Sequence, residues 1–299
     1  EIPHGKPSGM TGLAMNTRRA PFDDWRVRSA LIHAFNFEYI NDTLTGGVQP
    51  RITSYFSNSV LSMQDGPAAA DVEALLAPFA ADLPPGTLDG YALPVSDGSA
   101  RNRQGLRAAT NLLQQAGFSA EGGTLRGPDG TPFTFDILLP KGSTENIAIA
   151  DIYVGALARL GITARIETVD DAQFLARTNS FDFDMTFFRR ALSLSPGNEQ
   201  RYYWGSEAAT AEGSRNLPGI HSPAVDAMID AMLKAEGQDQ FVAATRALDR
   251  VLTAGAYVIP FWQYSEGRIA HVKEMKHPEV IPIYGDGPNY MPEVWWWEE

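Results

Sequence analysis

The chain has 299 residues, 44% of them hydrophobic, which is enough to build one large or two ordinary domains around a sizeable core. Its 24 Lys and Arg face 36 Asp and Glu, a formal net charge of −12, which argues against nucleic acid or an anionic membrane surface as a partner and makes any anion site local. The lack of cysteine excludes a disulfide framework, thiolate metal sites and a cysteine nucleophile.

No stretch approaches the about 18–20 apolar residues that span a bilayer, and no charged, apolar, small-residue signal pattern opens the chain. The chain starts at Glu1, and the lead PHGKPSG precedes apolar Leu13-Ala14-Met15. A processed product, or part of something longer, is expected.

The first helix is predicted over Trp25 to Leu44, with Val27, Ala30, Leu31, Ala34 and Phe35 at helical spacing and Asp23 or Asp24 as cap. A second is predicted over Asp71 to Leu83, stopped by Pro84-Pro85-Gly86, followed by an irregular connection over 84–102. Leu106, Ala109, Leu112, Leu113 and Ala116 make a third stripe, closed by Gly117. Gly127-Pro128-Asp129-Gly130 is the expected turn of a hairpin running from Gly123 to Pro140. A helix over Thr144–Leu160, a stop at Gly161 and a strand through Ile162, Ala164 and Ile166 give the αβ order of a layered α/β domain.

A short helix over 170–180 leads to a strand over 181–188, FDFDMTFF, with Asp182 and Asp184 on one face. Ser222-Pro223 starts a helix, another runs from Asp239 to Thr253, and a strand is expected from Tyr257 to Tyr264. The loop off the carboxyl end of the FD strand reads RRALSLSPGNEQRYYWGS (189–206) and combines guanidinium forks, amides and aromatics. Open α/β sheets bind ligands outside their strands' carboxyl ends. Arg190, Asn198, Gln200, Arg201 and Trp204 are therefore the candidate ligand contacts; the alternative is that Tyr203 and Trp204 are core and the arginines solvated.

Catalytic motifs of the GxSxG, GxxxxGK[ST] and HExxH kinds are absent from the sequence. Asp182 and Asp184 could serve a hydrolase, although carboxylates on alternate strand positions more often bond neighbouring backbone or face water; His271, Glu274, His277 and Glu279 could be drawn together as metal ligands, but their spacing matches no standard site and Pro278 interrupts it. Gly285-Asp286-Gly287-Pro288-Asn289-Tyr290 lacks the third glycine of a dinucleotide fingerprint and is expected to be a turn.

Several segments together resemble the carboxyl-terminal half of the family 5 extracellular solute-binding proteins, the peptide- and nickel-binding receptors of ABC importers. They are LAMNT followed by PFDDWRVRSALIHAF at 21–35, the AGF helix end before a Gly-rich hairpin at 108–135, LGI at 160–162, and SLSPGNEQRYYWGS followed by SRNLPGIHSPAVDAMIDAML at 214–233. The last two are similar to the YejA-like oligopeptide subgroup.

The resemblance implies a class II periplasmic-binding-protein-like α/β lobe with a mixed β-sheet and flanking helices. Residues 1–264 would form the second lobe, and 265–299 a segment returning toward the first. It also implies a monomeric, periplasmic, non-catalytic receptor of oligopeptides or related small solutes that partners a membrane permease and needs no cofactor; a nickel-type metal complex is the alternative ligand. Arg26 and Arg28 would hold carboxylates or helix-end carbonyls. Some peptide-binding relatives place a tryptophan near the start of the loop and an aspartate three residues later, where this chain has Arg190 and Ser193. That difference points away from reading a free amino terminus and toward a carboxylate-bearing ligand.

Overall fold

Two strands open the chain, β1 (Ile2–Pro3) and β2 (Met10–Met15). The computed structural model describes residues 1–263, 266–285, 290 and 293–299. Leu13 and Met15 of β2 enter one core cluster and Met10 and Ala14 another, so this strand is covered on both faces.

Helix α1 (Trp25–Ala34) starts where the Asp24 carboxylate accepts the Arg26 amide at 2.8 Å. The helix expected to Leu44 is in fact two, because α2 (Phe37–Thr45) begins after a break at Phe35-Asn36. Asn36 makes the break: its side chain donates to the Ser99 carbonyl at 2.7 Å and accepts from the Ser96 hydroxyl at 2.6 Å. Periodicity cannot register such bonds, since both partners lie about sixty residues away in the connection over 84–102. Arg26 grips Asp24 and the Gln115 carbonyl, while buried Arg28 donates to the carbonyls of Phe22, Asp23 and Gly255. Both arginines tie the start of α1 to the end of another helix.

Helix α3 (Ala70–Leu76) is shorter than predicted and gives way to a 3-10 turn over Ala77–Phe79. Pro78 explains this, as it has no amide to donate and its ring collides with the carbonyl four residues back. Residues 84–102 form neither helix nor strand, yet the Thr87 carbonyl accepts from Arg250 and the Leu88 carbonyl from the Ala68 amide. Helix α4 (Arg103–Gln115) is capped by Asn102, whose side chain accepts from the Gly105 amide.

The hairpin is β3 (Ser119–Glu121) with β4 (Thr124–Arg126), so it turns at Gly122-Gly123 and not at Gly127-Pro128-Asp129-Gly130. The latter turn makes a single bridge, Arg126 to Pro132, and then releases β5 (Thr134–Pro140) into the main sheet. Burial of Phe135, Ile137, Leu138 and Leu139 on both faces of β5 outweighs a local hairpin.

Helix α5 (Thr144–Ala158), β6 (Thr163–Val169) and α6 (Asp171–Asn179) follow as read from the sequence. The FD strand does not start at Phe181: this residue has φ 57°, and β7 spans Met185–Arg190. Helices α7 (Glu199–Trp204), α8 (Pro223–Leu233) and α9 (Gln238–Ala254) lead to β8 (Val258–Pro260). Beyond it, Trp262 adds one bridge to Arg51, and Tyr264 lies outside the described residues. The last pieces are β9 (Glu266–Gly267), β10 (Met275–Lys276) and β11 (Trp296–Trp297). β9 pairs with β1, and β10 with β11. Of the Gly-Asp turn, residues 286–289 lie outside the described residues.

The main sheet has the order β6-β5-β7-β2-β8, with β5 parallel to β6 and β7 and β2 antiparallel to β7 and β8. One face is covered chiefly by α1, α4 and α5, the other by α3, α8 and α9. This is a three-layer α/β lobe with a mixed sheet.

Arg18 fastens the 209–217 loop to β2. Its guanidinium donates to the carbonyls of Ala209, Asn216 and Leu217 and to the Asn16 side chain, and lies 3.7 Å from the Phe181 ring centroid. Burial draws its pKa down to about 10. Arg18→Lys keeps the charge but loses the fork, and is expected to cost about 2 kcal/mol in urea denaturation.

Candidate functional site

The parallel strands β5 and β7 end on one side of the sheet, and there β2 begins, β8 ends and α5 starts its first turn. These ends and the 4–8 strap between β1 and β2 surround a cleft of ≈ 470 Å³. Lys6, Arg189 and Arg190 face Glu145 and Glu266 across it, so the acidic balance of the whole chain is locally reversed. Phe187, Phe261 and Trp262 supply apolar wall, and Ser8, Thr11, Asn146 and Gln263 supply neutral donors and acceptors.

Arg190 is half-buried, with its guanidinium 4.3 Å from the Tyr203 ring centroid and 6.0 Å from that of Phe188. Burial pulls its pKa below the ordinary arginine value, although the side chain stays cationic at neutral pH. Its Nε is buried without a hydrogen-bond partner, and so is the Gln263 Oε1. An unmet donor and an unmet acceptor therefore both belong to side chains that line this cleft. Gly9, at φ 65°, lets β2 start beside this point: a Cβ there would stand 2.1 Å from the Arg190 carbonyl oxygen.

The five expected contacts are not brought together. Arg190 alone lines the cleft. Gln200 and Trp204 are core, 1% and 0% exposed, with the indole donating to the Gln200 amide oxygen at 2.6 Å. The reason is geometric: the short helix α7 folds back after the loop and packs Trp204 edge-on against Tyr55, 5.0 Å between centroids. Asn198 and Arg201 point to a separate hollow of ≈ 560 Å³ between α7 and α8, where Arg201 pairs with Asp230.

Lys6 and Ser8, in the lead PHGKPSG, and Trp262 and Gln263, in the strand expected from Tyr257 to Tyr264, line the cleft although the sequence does not single them out. The signal in both cases was polar residues at a strand end.

Among the described residues, the groups named for the alternative chemistries are engaged elsewhere. Arg19 donates to Asp182 at 2.8 Å and to Asp184 at 2.9 Å, and the second Asp184 oxygen accepts the Asp136 amide at 3.0 Å. The pair holds the start of β7 in place, away from the cleft. His271 and His277 pack on the Trp295 ring at 5.0 and 4.8 Å between centroids, and among the described residues no group of three or more His, Asp or Glu side chains is placed to hold a metal.

A profile described as bacterial extracellular solute-binding proteins, family 5 Middle, matches residues 2–212. The chain belongs to this family. A family 5 relative named as a binding protein in Brucella melitensis is 42% identical over 98% of this chain and 47% of its own length. The probable peptide-binding protein YejA of Agrobacterium fabrum is 39% identical over 96% of this chain and 46% of its own. The chain thus spans about half the length of the curated relatives it matches. Among solved structures, the oligopeptide-binding protein AppA of Bacillus subtilis, in complex with a nonapeptide, matches with a TM-score of 0.69 at 16% identity, over 100% of this chain and 52% of the other. The shared fold is that of the type II periplasmic binding proteins. Among the described residues, no helix is long and apolar enough to cross a membrane.

Proposed function

We propose that this family 5 chain forms one wall of the ligand cleft of an ABC importer's periplasmic solute-binding receptor, taking oligopeptides or related solutes that carry a carboxylate. The observation that carries the reading is that Arg190 and Gln263, whose buried Nε and Oε1 have no partner, both line a cleft beyond the carboxyl ends of β5 and β7. A ligand offering an anionic or carbonyl oxygen to the Arg190 guanidinium and an N–H to the Gln263 side chain suits this wall, as a peptide does. The name of the Agrobacterium relative supports the peptide class. Closure against a second lobe would exclude water and complete the contacts, with 265–299 returning toward that lobe and a membrane permease receiving the closed, monomeric receptor. The role is binding without turnover.

Isothermal titration of the full-length protein with a synthetic pool of short peptides tests this. Binding is expected, and Arg190→Gln should weaken it by about 10- to 100-fold, the scale of one charge-assisted hydrogen bond lost from a closed site. A folded protein that binds no member of the pool refutes the substrate class.

A further inference from the structure

Resting on the cleft as the ligand site, we infer that Asn58, on a turn that Asp249 fixes, positions the 4–8 strap and so sets ligand affinity without touching the ligand. The strap carries Lys6, Pro7 and Ser8 into the cleft wall, yet it belongs to no strand of the main sheet. Its described bonds go largely to the 54–58 turn. The Asn58 side-chain amide donates to the carbonyls of His4 at 3.1 Å and Lys6 at 3.0 Å. The Ser8 amide donates to the Ser57 carbonyl at 2.8 Å, and the Ser8 and Ser57 hydroxyls lie 2.7 Å apart.

The turn is in turn fixed by α9. The buried Asp249 carboxylate accepts the Ser54 hydroxyl at 2.6 Å and the amides of Met63 at 2.9 Å and Phe56 at 3.2 Å. Asn58 itself has φ 65°, a left-handed conformation that asparagine and glycine tolerate best. The same residue thus ends the turn and reaches back along the strap, so its side chain sets where Lys6 stands relative to Arg190, while Ser54 and Ser57 of the same turn hold Ser8.

Asn58→Gly keeps the left-handed backbone and removes only the side-chain bonds to His4 and Lys6 of the strap; Asn58→Asp keeps the size but cannot donate. In the full-length protein, each is expected to weaken binding of the tightest peptide from the pool by about 5- to 10-fold, as the hydrogen bonds that hold this part of the cleft wall are lost. Amide exchange over residues 4–8 should quicken while the unfolding midpoint stays near wild type, a combination that a purely structural role would not produce. Arg190→Gln serves as the control on the cleft. If it leaves affinity intact, the cleft reading falls and this inference with it. If Arg190→Gln binds weakly while Asn58→Gly binds as wild type, or if exchange over 4–8 is unchanged, the positioning role alone is refuted.

Discussion

Trp204→Ala is expected to destabilise the lobe by about 4 kcal/mol, within the usual cost of emptying a large aromatic site. The indole is wholly buried, packs edge-on to Tyr55 at 5.0 Å and lies 6.1 Å from Phe188, and donates to Gln200 at 2.6 Å. Alanine would leave a cavity and an unmet amide oxygen together. Stability of about 5–15 kcal/mol is typical of a domain, so this is a large share. Trp204→Phe retains most of the ring and should recover more than half of the loss. Urea denaturation reads the stability and titration with the peptide pool reads the affinity. A residue stacking on ligand would show the reverse pattern, with Trp204→Phe stable but weak in binding. Stability close to wild type in Trp204→Ala would overturn the core placement.

The second large effect lies at Asp249, fully buried among the Ser54 hydroxyl and the Phe56 and Met63 amides. Burial away from water pushes its pKa up from 3.8 to about 6, and the hydrogen bonds it accepts only partly offset this. Between these two values the folded protein holds a proton that the unfolded chain has already released. This contribution to stability is therefore full below about pH 4 and is lost as the pH rises through about 6, a change on the order of 3 kcal/mol. Half-buried carboxylates such as Asp24 and Asp230, whose pKa values are lowered, act in the opposite sense. The comparison of wild type with Asp249→Asn isolates the one group. Urea midpoints followed from pH 4 to pH 7.5 should fall more steeply in wild type than in the variant, and parallel curves would show that Asp249 does not titrate in this range.

Much of the architecture was legible because it is written in local pattern. Asp24, Asn102, Asp170 and Ser222 cap helices as their neighbours imply, and the order of α5, Gly161 and β6 announces a layered α/β domain. Most of the failures share one cause, a distant partner, whereas the early end of α3 comes from Pro78 beside it. Asn36 breaks a continuous apolar stripe because Ser96 and Ser99 reach it. β5 leaves its hairpin for a place between β6 and β7, and the carboxylates of Asp182 and Asp184 are claimed by Arg19 from the other end of the chain.

The candidate site divides the same way. Composition determined that a local cationic, aromatic loop had to stand out from an acidic chain, and position after a strand determined that its first residues, Arg189 and Arg190, would lie at a sheet end. Only the tertiary structure decided which of its polar and aromatic residues face the cleft. Helix α7 turns Trp204 and Gln200 inward, leaves Arg201 to Asp230, and lets the lead at 4–8 and the end of β8 complete the wall beside Arg190. The physical reason is that burial of an indole outweighs its use as a ligand platform wherever the fold offers it a closed, apolar place, and whether such a place exists depends on Tyr55 and Phe188, residues that adjacent sequence cannot reveal.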